Sequence, residues 1–244
     1  MHSFLKTTVV ACLLGGAALA ASATTVTFDN GTEGWTGPKG SGGFTWVDKR
    51  FGNDAPALHT WFSDFGITFS NTTNSAFVGD LTVNPSITIG IDTLTRSINS
   101  FGQVPRDFIV ELRDHSNPQG GLPYTSVWYD LGVLTSANTD WKHFEVTIAD
   151  TSATALPTGW GGYGAEDPST GAPILPADRT FASVLAHVDE LVFTTLEPGW
   201  FYADAKFNVV VDNISIAAVP EPATLGMMAL GLAAVGGIAR RRRG

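Results

Sequence analysis

Six stretches of this chain alternate apolar and polar residues with a period of two, and that pattern restricts the fold more than any other feature. Val26 and Phe28 alternate with Thr25, Thr27 and Asp29, and Ile87, Ile89 and Ile91 alternate with Thr88, Gly90 and Asp92. Phe108, Val110 and Leu112 share one parity, as do Phe144, Val146 and Ile148; Leu191 and Phe193 follow, and "FNVVVDNISI" runs from Phe207 to Ile216. Successive side chains of a strand point to opposite sides, so such alternation marks strands with one buried face. Glycine- and proline-rich intervals separate the strands, as in "TGPKGSGG" (36–43), "HSNPQGG" (115–121) and "EDPSTGAPILP" (166–176). A single helix is expected in "ADRTFASVLAHVDEL", with Asp178 as its cap and Phe181, Val184, Leu185 and Val188 along one side. Many strands, one short helix and no long-period repeat predict an all-β protein: an antiparallel two-sheet sandwich of the jelly-roll kind.

Both ends of the sequence differ from this body. Lys6 precedes an apolar run, Thr7 to Ala20, and Ala21-Ser22-Ala23 supplies the small residues that a signal peptidase reads. Residues 1–23 are therefore expected to be a signal peptide, with Ala18-Leu19-Ala20 as the alternative cleavage region. The sandwich is expected over residues 24–218. Lys6 and Arg240 to Arg243 take five of the 14 basic residues and Glu221 one of the 23 acidic ones, so this body carries 9 against 22, a net charge near −13. Such a surface repels phosphate backbones and excludes nucleic acid as a partner. The one cysteine, Cys12, lies in the signal segment, so the body has no disulfide, zinc-thiolate site or cysteine nucleophile.

Motifs for catalysis are absent from the sequence: there is no G-x-S-x-G elbow, H-E-x-x-H pair or phosphate loop. His59, His115, His143 and His187 are scattered without metal-ligand spacing. The numerous carboxylates leave a glycoside hydrolase as an alternative that no residue nominates. The last strand is more specific. On strict alternation Asp212 shares a side with Val210, Ile214 and Ile216. A carboxylate on a buried face needs a partner. A structural calcium held by Asp212, with Asp29 beside the first strand as its partner, is one solution. A position at the sheet rim, capping a neighbouring loop through backbone N–H groups, is the other.

All seven tryptophans fall in the body. Flat aromatic rings stack on sugar faces, so exposed ones are candidates for glycan contact. Trp35, Trp46 and Trp141 read as sheet-packing residues. Trp160 in "PTGWGGYG", with Tyr163 nearby, and Trp200 in "EPGWFYAD" are surrounded by loop residues and are the expected sugar-binding positions.

Two resemblances follow from these residues. "TVTFDNGTEGW" near the start and "VVVDNISI" near the end of the body resemble the opening and closing strands of galactose-binding-like jelly rolls, while "SAFVGDLT" and "FASVLAHVDELVFTTLE" are similar to laminin B-type sandwiches. The first group includes carbohydrate-binding modules, some with a calcium near those two strands. The segment 219–244 is more specific: Pro220-Glu221-Pro222, an apolar stretch over 225–239 and Arg240, Arg241, Arg242 and Arg243 resemble the PEP-CTERM sorting signal. That resemblance implies processing by an exosortase-type enzyme in a Gram-negative bacterium, transient anchoring in the inner membrane and association with extracellular polysaccharide or biofilm.

The physical properties of the tail agree. Fifteen residues at ~1.5 Å each span roughly 22 Å, short of a hydrocarbon core of roughly 30 Å. Pro220 and Pro222 stop the helix from extending upstream, and the arginines act as a membrane stop on the cytoplasmic side. The expected protein is thus a non-catalytic component of the cell surface or extracellular matrix, with a carbohydrate-binding lectin or adhesin as the alternative.

Overall fold

A computed structural model describes residues 23–53, 56–136 and 140–219. The expected signal peptide (all but Ala23), apolar stretch and arginine tail lie outside the described residues; among those described, no helix is long and apolar enough to cross a membrane. In chain order the strands are β1 (Ala23–Val26), β2 (Trp35–Thr36), β3 (Gly43–Asp48), β4 (Ala57–Asp64), β5 (Thr68–Asn71), β6 (Ile87–Asn99), β7 (Arg106–Asp114) and β8 (Thr125–Leu134). After these come β9 (Lys142–Ile148), β10 (Trp160–Tyr163), β11 (Ala165–Glu166), β12 (Pro173–Ile174), the helix α1 (Phe181–Leu185), β13 (Glu190–Thr194) and β14 (Ala205–Ala218).

They form the expected antiparallel sandwich. One sheet runs β3-β4-β14-β6-β9 with β1 also on β14; the other runs β10-β8-β7-β13-β5-β2; β11 and β12 pair separately. Phe108 joins the layers, its ring 6.0 Å from Phe193 in its own sheet and 5.4 Å from Phe144 in the opposite one. Trp35 is fully buried beside Phe77 and Phe193, which confirms the packing role expected of it.

β14 is the axis of the first sheet. One of its edges is shared, with β4 pairing Ala205 to Val211 and β1 pairing Ile214 to Ala217, so first and last strands lie side by side. On the other edge Asp212 faces Asp92 but Ser215 faces Gly90, so β14 uses three residues where β6 uses two. Asn213 supplies the extra residue with φ at 48°, a left-handed conformation that asparagine tolerates better than most side chains. This bulge corrects the strict alternation expected from sequence. Val209 and Val211 before it and Ile214 and Ile216 after it all face the core. Asp212 is left on the opposite side with Val210.

Helix α1 buries Phe181, Val184 and Leu185 as the spacing predicts, but Asp178 is not its cap. Thr180 takes that role: its hydroxyl accepts the Ser183 N–H at 3.0 Å while Ser183 Oγ accepts the Thr180 N–H at 2.9 Å. Asp178 instead accepts both its bonds from the Gln119 side-chain amide.

Candidate functional site

The β3–β4 hairpin places large aromatics on the outer face of the first sheet. Val47, Leu58 and Phe62 pack into the core, so alternation turns Phe44, Trp46, His59 and Trp61 outward. Phe44 lies across from Trp61 and Trp46 across from His59. The rings form a row: Phe44 to Trp46 at 5.0 Å, Trp46 stacked on His59 at 4.3 Å, and the edge of Phe51 against His59 at 5.4 Å. Phe51 belongs to the β3–β4 loop, which folds over this face.

The His59 ring is the buried base of the row. Its Nδ1 meets Asp48 Oδ2 at 3.2 Å and its Nε2 meets Asn208 Oδ1 at 2.8 Å, so both nitrogens are held. Side-chain bonds from Arg50 hold the Asp48 carboxyl well below the usual carboxylate range, with its backbone N–H and His59 adding to the effect. Above this base, Phe44 is 51% and Trp61 53% exposed. Aromatic rings of this area normally bury most of their surface. Here they are fixed on paired strands beside Asn208, and Lys206 precedes Asn208 on the same side of β14. The surface is held on paired strands and is partly apolar, with hydrogen-bonding groups along one border.

Next to the aromatics runs a polar row, Asp212 on β14, Asp92 on β6 and His143 on β9, each opposite the next. Asp212 is fully buried. Its Oδ2 accepts the backbone N–H of Asn53 at 2.8 Å and its Oδ1 that of Asn213 at 2.7 Å. The side-chain amides of Asn53 and Asn213 donate to Asp92 Oδ2 at 2.7 and 2.8 Å, and His143 Nδ1 lies 2.6 Å from Asp92 Oδ1. The row thus anchors the β3–β4 loop to the sheet. Burial pushes the Asp92 carboxyl up, but the Asn213, Asn53 and His143 donors outweigh it and the net direction is down. Burial pushes His143 down, while Asp92 and Glu145 outweigh that and raise it.

These directions set a pH dependence. His143, raised in the folded state, contributes its full stability below the ordinary value of 6.5 and loses it as pH rises through the folded value. Asp92, lowered, contributes fully above 3.8 and loses its share as pH falls through its folded value. His143→Gln should therefore remove part of the stability lost on going alkaline from pH 6.5, read as a flatter profile of urea midpoint against pH. The effect is small because the imidazole is half exposed.

Among the residues expected to hold calcium, Asp29 lies in the exposed turn after β1 and accepts the Thr27 hydroxyl at 2.8 Å. Asp212 sits at the middle of the sheet, not its rim, yet its donors are the backbone N–H groups that the second sequence reading anticipates. Asp92 and the two asparagine amides place further oxygen atoms nearby. Among the described residues, no three His, Cys, Asp or Glu side chains gather as a metal site. The oxygen set fits a cation only in part.

Of the expected sugar-binding aromatics, Trp160 and Tyr163 face opposite sides of β10. Trp160 is 8% exposed, its ring edge-on to Phe181 at 5.0 Å and tilted against Tyr129 at 5.5 Å. It presents no open face, which corrects its expected role. Its position in a glycine-rich segment had suggested a loop, but that segment is β10, and the glycines make room: a Cβ at Gly161 would sit 2.2 Å from Trp128. Tyr163, at the other parity of β10, packs on Tyr124 at 5.1 Å on the outer side of the second sheet. Trp200 is 66% exposed in the loop before β14. Trp46, expected to pack within the sandwich, faces outward with Trp61 and Phe44. The available signal was the same-parity pairing of Phe44 and Trp46 with His59 and Trp61 on two strands joined by one short loop.

Comparison with known proteins adds the following. Residues 218–243 match the PEP-CTERM protein-sorting motif, which includes Pro220 to Pro222 and Arg240 to Arg243. The body is similar to the family 30 carbohydrate-binding module of the Clostridium thermocellum cellulosomal cellulase Cel9D-Cel44B, with 16% identity and a TM-score of 0.45 over 83% of this chain and 100% of that one. It is also similar to the CBM22-2 xylan-binding domain of Paenibacillus barcinonensis Xyn10C, at 13% identity and TM-score 0.41 over 80% of this chain and 99% of that one. An exo-beta-agarase matches at 11% identity and TM-score 0.46 over 82% of this chain, which spans only 25% of the agarase. No curated protein sequence matches.

Proposed function

We propose that the β-sandwich binds polysaccharide, without catalysis, through the outer face of its first sheet, and that the protein is exported to the cell surface or extracellular matrix. The observation that supports binding is the exposed pair Phe44 and Trp61 beside Trp46 and Asn208. A pyranose ring offers flat C–H faces and a rim of hydroxyls, and this surface offers flat rings with polar groups along their border. The buried carboxylates Asp92, Asp212 and Asp114 accept N–H donors from neighbouring loops and act as structural anchors. The direct test is affinity electrophoresis through gels containing the producing cell's own polysaccharide. Retardation of the wild type, and its loss in a Phe44→Ala, Trp61→Ala variant, supports the reading; equal mobility of wild type and variant overturns it.

The sorting motif supports the second half of the proposal, with signal peptidase and an exosortase-type enzyme as processing partners and only a transient stay in the membrane. Mass spectrometry of the protein recovered from outer fractions should lack the peptide containing Arg240 to Arg243. Recovery of that peptide there contradicts processing. A structural calcium at Asp212 and Asp29 is a separate proposal: added calcium should raise the Tm of the wild type and chelation lower it, with no response in Asp212→Asn. An unchanged Tm on chelation removes it.

A further inference from the structure

The aromatic face also gathers four of the nine basic residues of an otherwise acidic domain. The body carries nine basic residues, and several of them are internally committed. Arg113 is paired with Glu111 and Glu190, Arg179 with Asp114, and the Arg106 guanidinium donates to the carbonyls of Pro105 and Ala203. Four others surround the candidate site. Lys49 and Arg50 stand in the loop that folds over the face, Lys206 adjoins Asn208 on β14, and Arg96 lies on β6. Ser97 pairs with Asn208 and Thr95 with Val209, so Arg96 is the residue bulged out of the ladder. Its guanidinium is exposed and rests over the Phe51 ring, 4.5 Å from the centroid.

On the same face Asp48, Asp92 and Asp212 are buried, while Glu145 beside His143 on β9 and Asp204 at the border are exposed. Asp48 is buried between Arg50 and His59, and the buried pair Asp92 and Asp212 lies beneath the donors of Asn53. Asp204, which accepts a bond from Ser63, stands at the border next to Lys206. Arg96 and Lys206 take part in no ion pair among the described residues.

We infer that the ligand of this face is an acidic polysaccharide, with ring carboxylates that meet Arg96 and Lys206 while the sugar faces stack on Trp61 and Phe44. This rests on the binding role proposed above and adds the class of glycan. A domain with net charge near −13 repels a uronate polymer at long range, so binding requires a local excess of cations at the contact. Arg96 is suited to that contact because its guanidinium plane is pre-positioned on an aromatic ring and presents a fork that matches a carboxylate.

The test is affinity electrophoresis in gels containing polygalacturonate, and in gels containing the same polymer after chemical reduction of its carboxyl groups. Wild type should bind the acidic polymer at least fivefold more tightly than the reduced one, with the preference shrinking as salt rises from 50 to 300 mM. Arg96→Gln with Lys206→Gln should lose about three- to tenfold on the acidic polymer only, the range expected for two exposed ion pairs. Trp61→Ala should weaken binding to both. Equal binding of the two polymers, an unaffected Arg96→Gln, Lys206→Gln variant, or no binding to the acidic polymer overturns the acidic assignment. If Trp61→Ala binds as wild type does, the face itself is not the site.

Discussion

Phe108→Ala should destabilise the sandwich by about 3–5 kcal/mol, the range for removing a large buried aromatic. The ring is fully buried and is one of the contacts that join the sheets, with Phe193 on one side and Phe144 across the interlayer space. Its loss leaves a cavity between two β layers, each held rigid by its own backbone ladder, so relaxation into the space is limited. For a chain of this size each kcal/mol shifts Tm by about 2–4 °C, which predicts a fall of roughly 6–20 °C by calorimetry. A fall of only a degree or two would mean that the layers do not close on this ring.

The second large effect concerns binding and leaves stability alone. Trp61→Ala and Phe44→Ala remove side chains that are half exposed, so unfolding free energies should change by no more than about 0.5 kcal/mol. Affinity for polysaccharide should nevertheless fall by roughly tenfold for each, about 1.4 kcal/mol, since the rings supply most of the contact area. Trp46→Ala should combine both losses, because Trp46 also covers the His59 ring at 4.3 Å. The contrast separates a binding surface from a packing surface. Titration calorimetry paired with urea melts on the same three variants measures it.

The amino-acid sequence makes the layers legible and hides which layer face is used. Alternation in Ile87 to Ile91, Phe108 to Leu112 and Phe144 to Ile148 identifies strands, because burial of one face imposes a period of two. In β3 and β4 both parities carry apolar residues, so alternation alone does not say which side meets the other sheet. The structure turns Val47, Leu58 and Phe62 inward together with Thr45 and Thr60, whose hydroxyls meet at 2.8 Å, and leaves Phe44, Trp46 and Trp61 outside. Asp212 was misplaced for a different reason. The bulge at Asn213 arises where β14 changes partner from β4 to β1, a tertiary event that local pattern does not encode. The helix cap shows the reverse case: Thr180 and Ser183 stand at capping-box spacing, legible in the sequence, with serine where a Glu or Gln is usual.

Tyr163 and Trp200 lie apart from the aromatic row in sequence and in sheet, so the two sets of aromatics make opposite claims about where a glycan lands. Indole N–H resonances decide between them. In a titration with oligosaccharides from the producing cell's polysaccharide, the Trp46 and Trp61 signals should shift and saturate together while Trp35, fully buried, stays fixed. Movement of Trp200 with Trp46 and Trp61 unchanged would contradict the proposal that the outer face of the first sheet is the binding site.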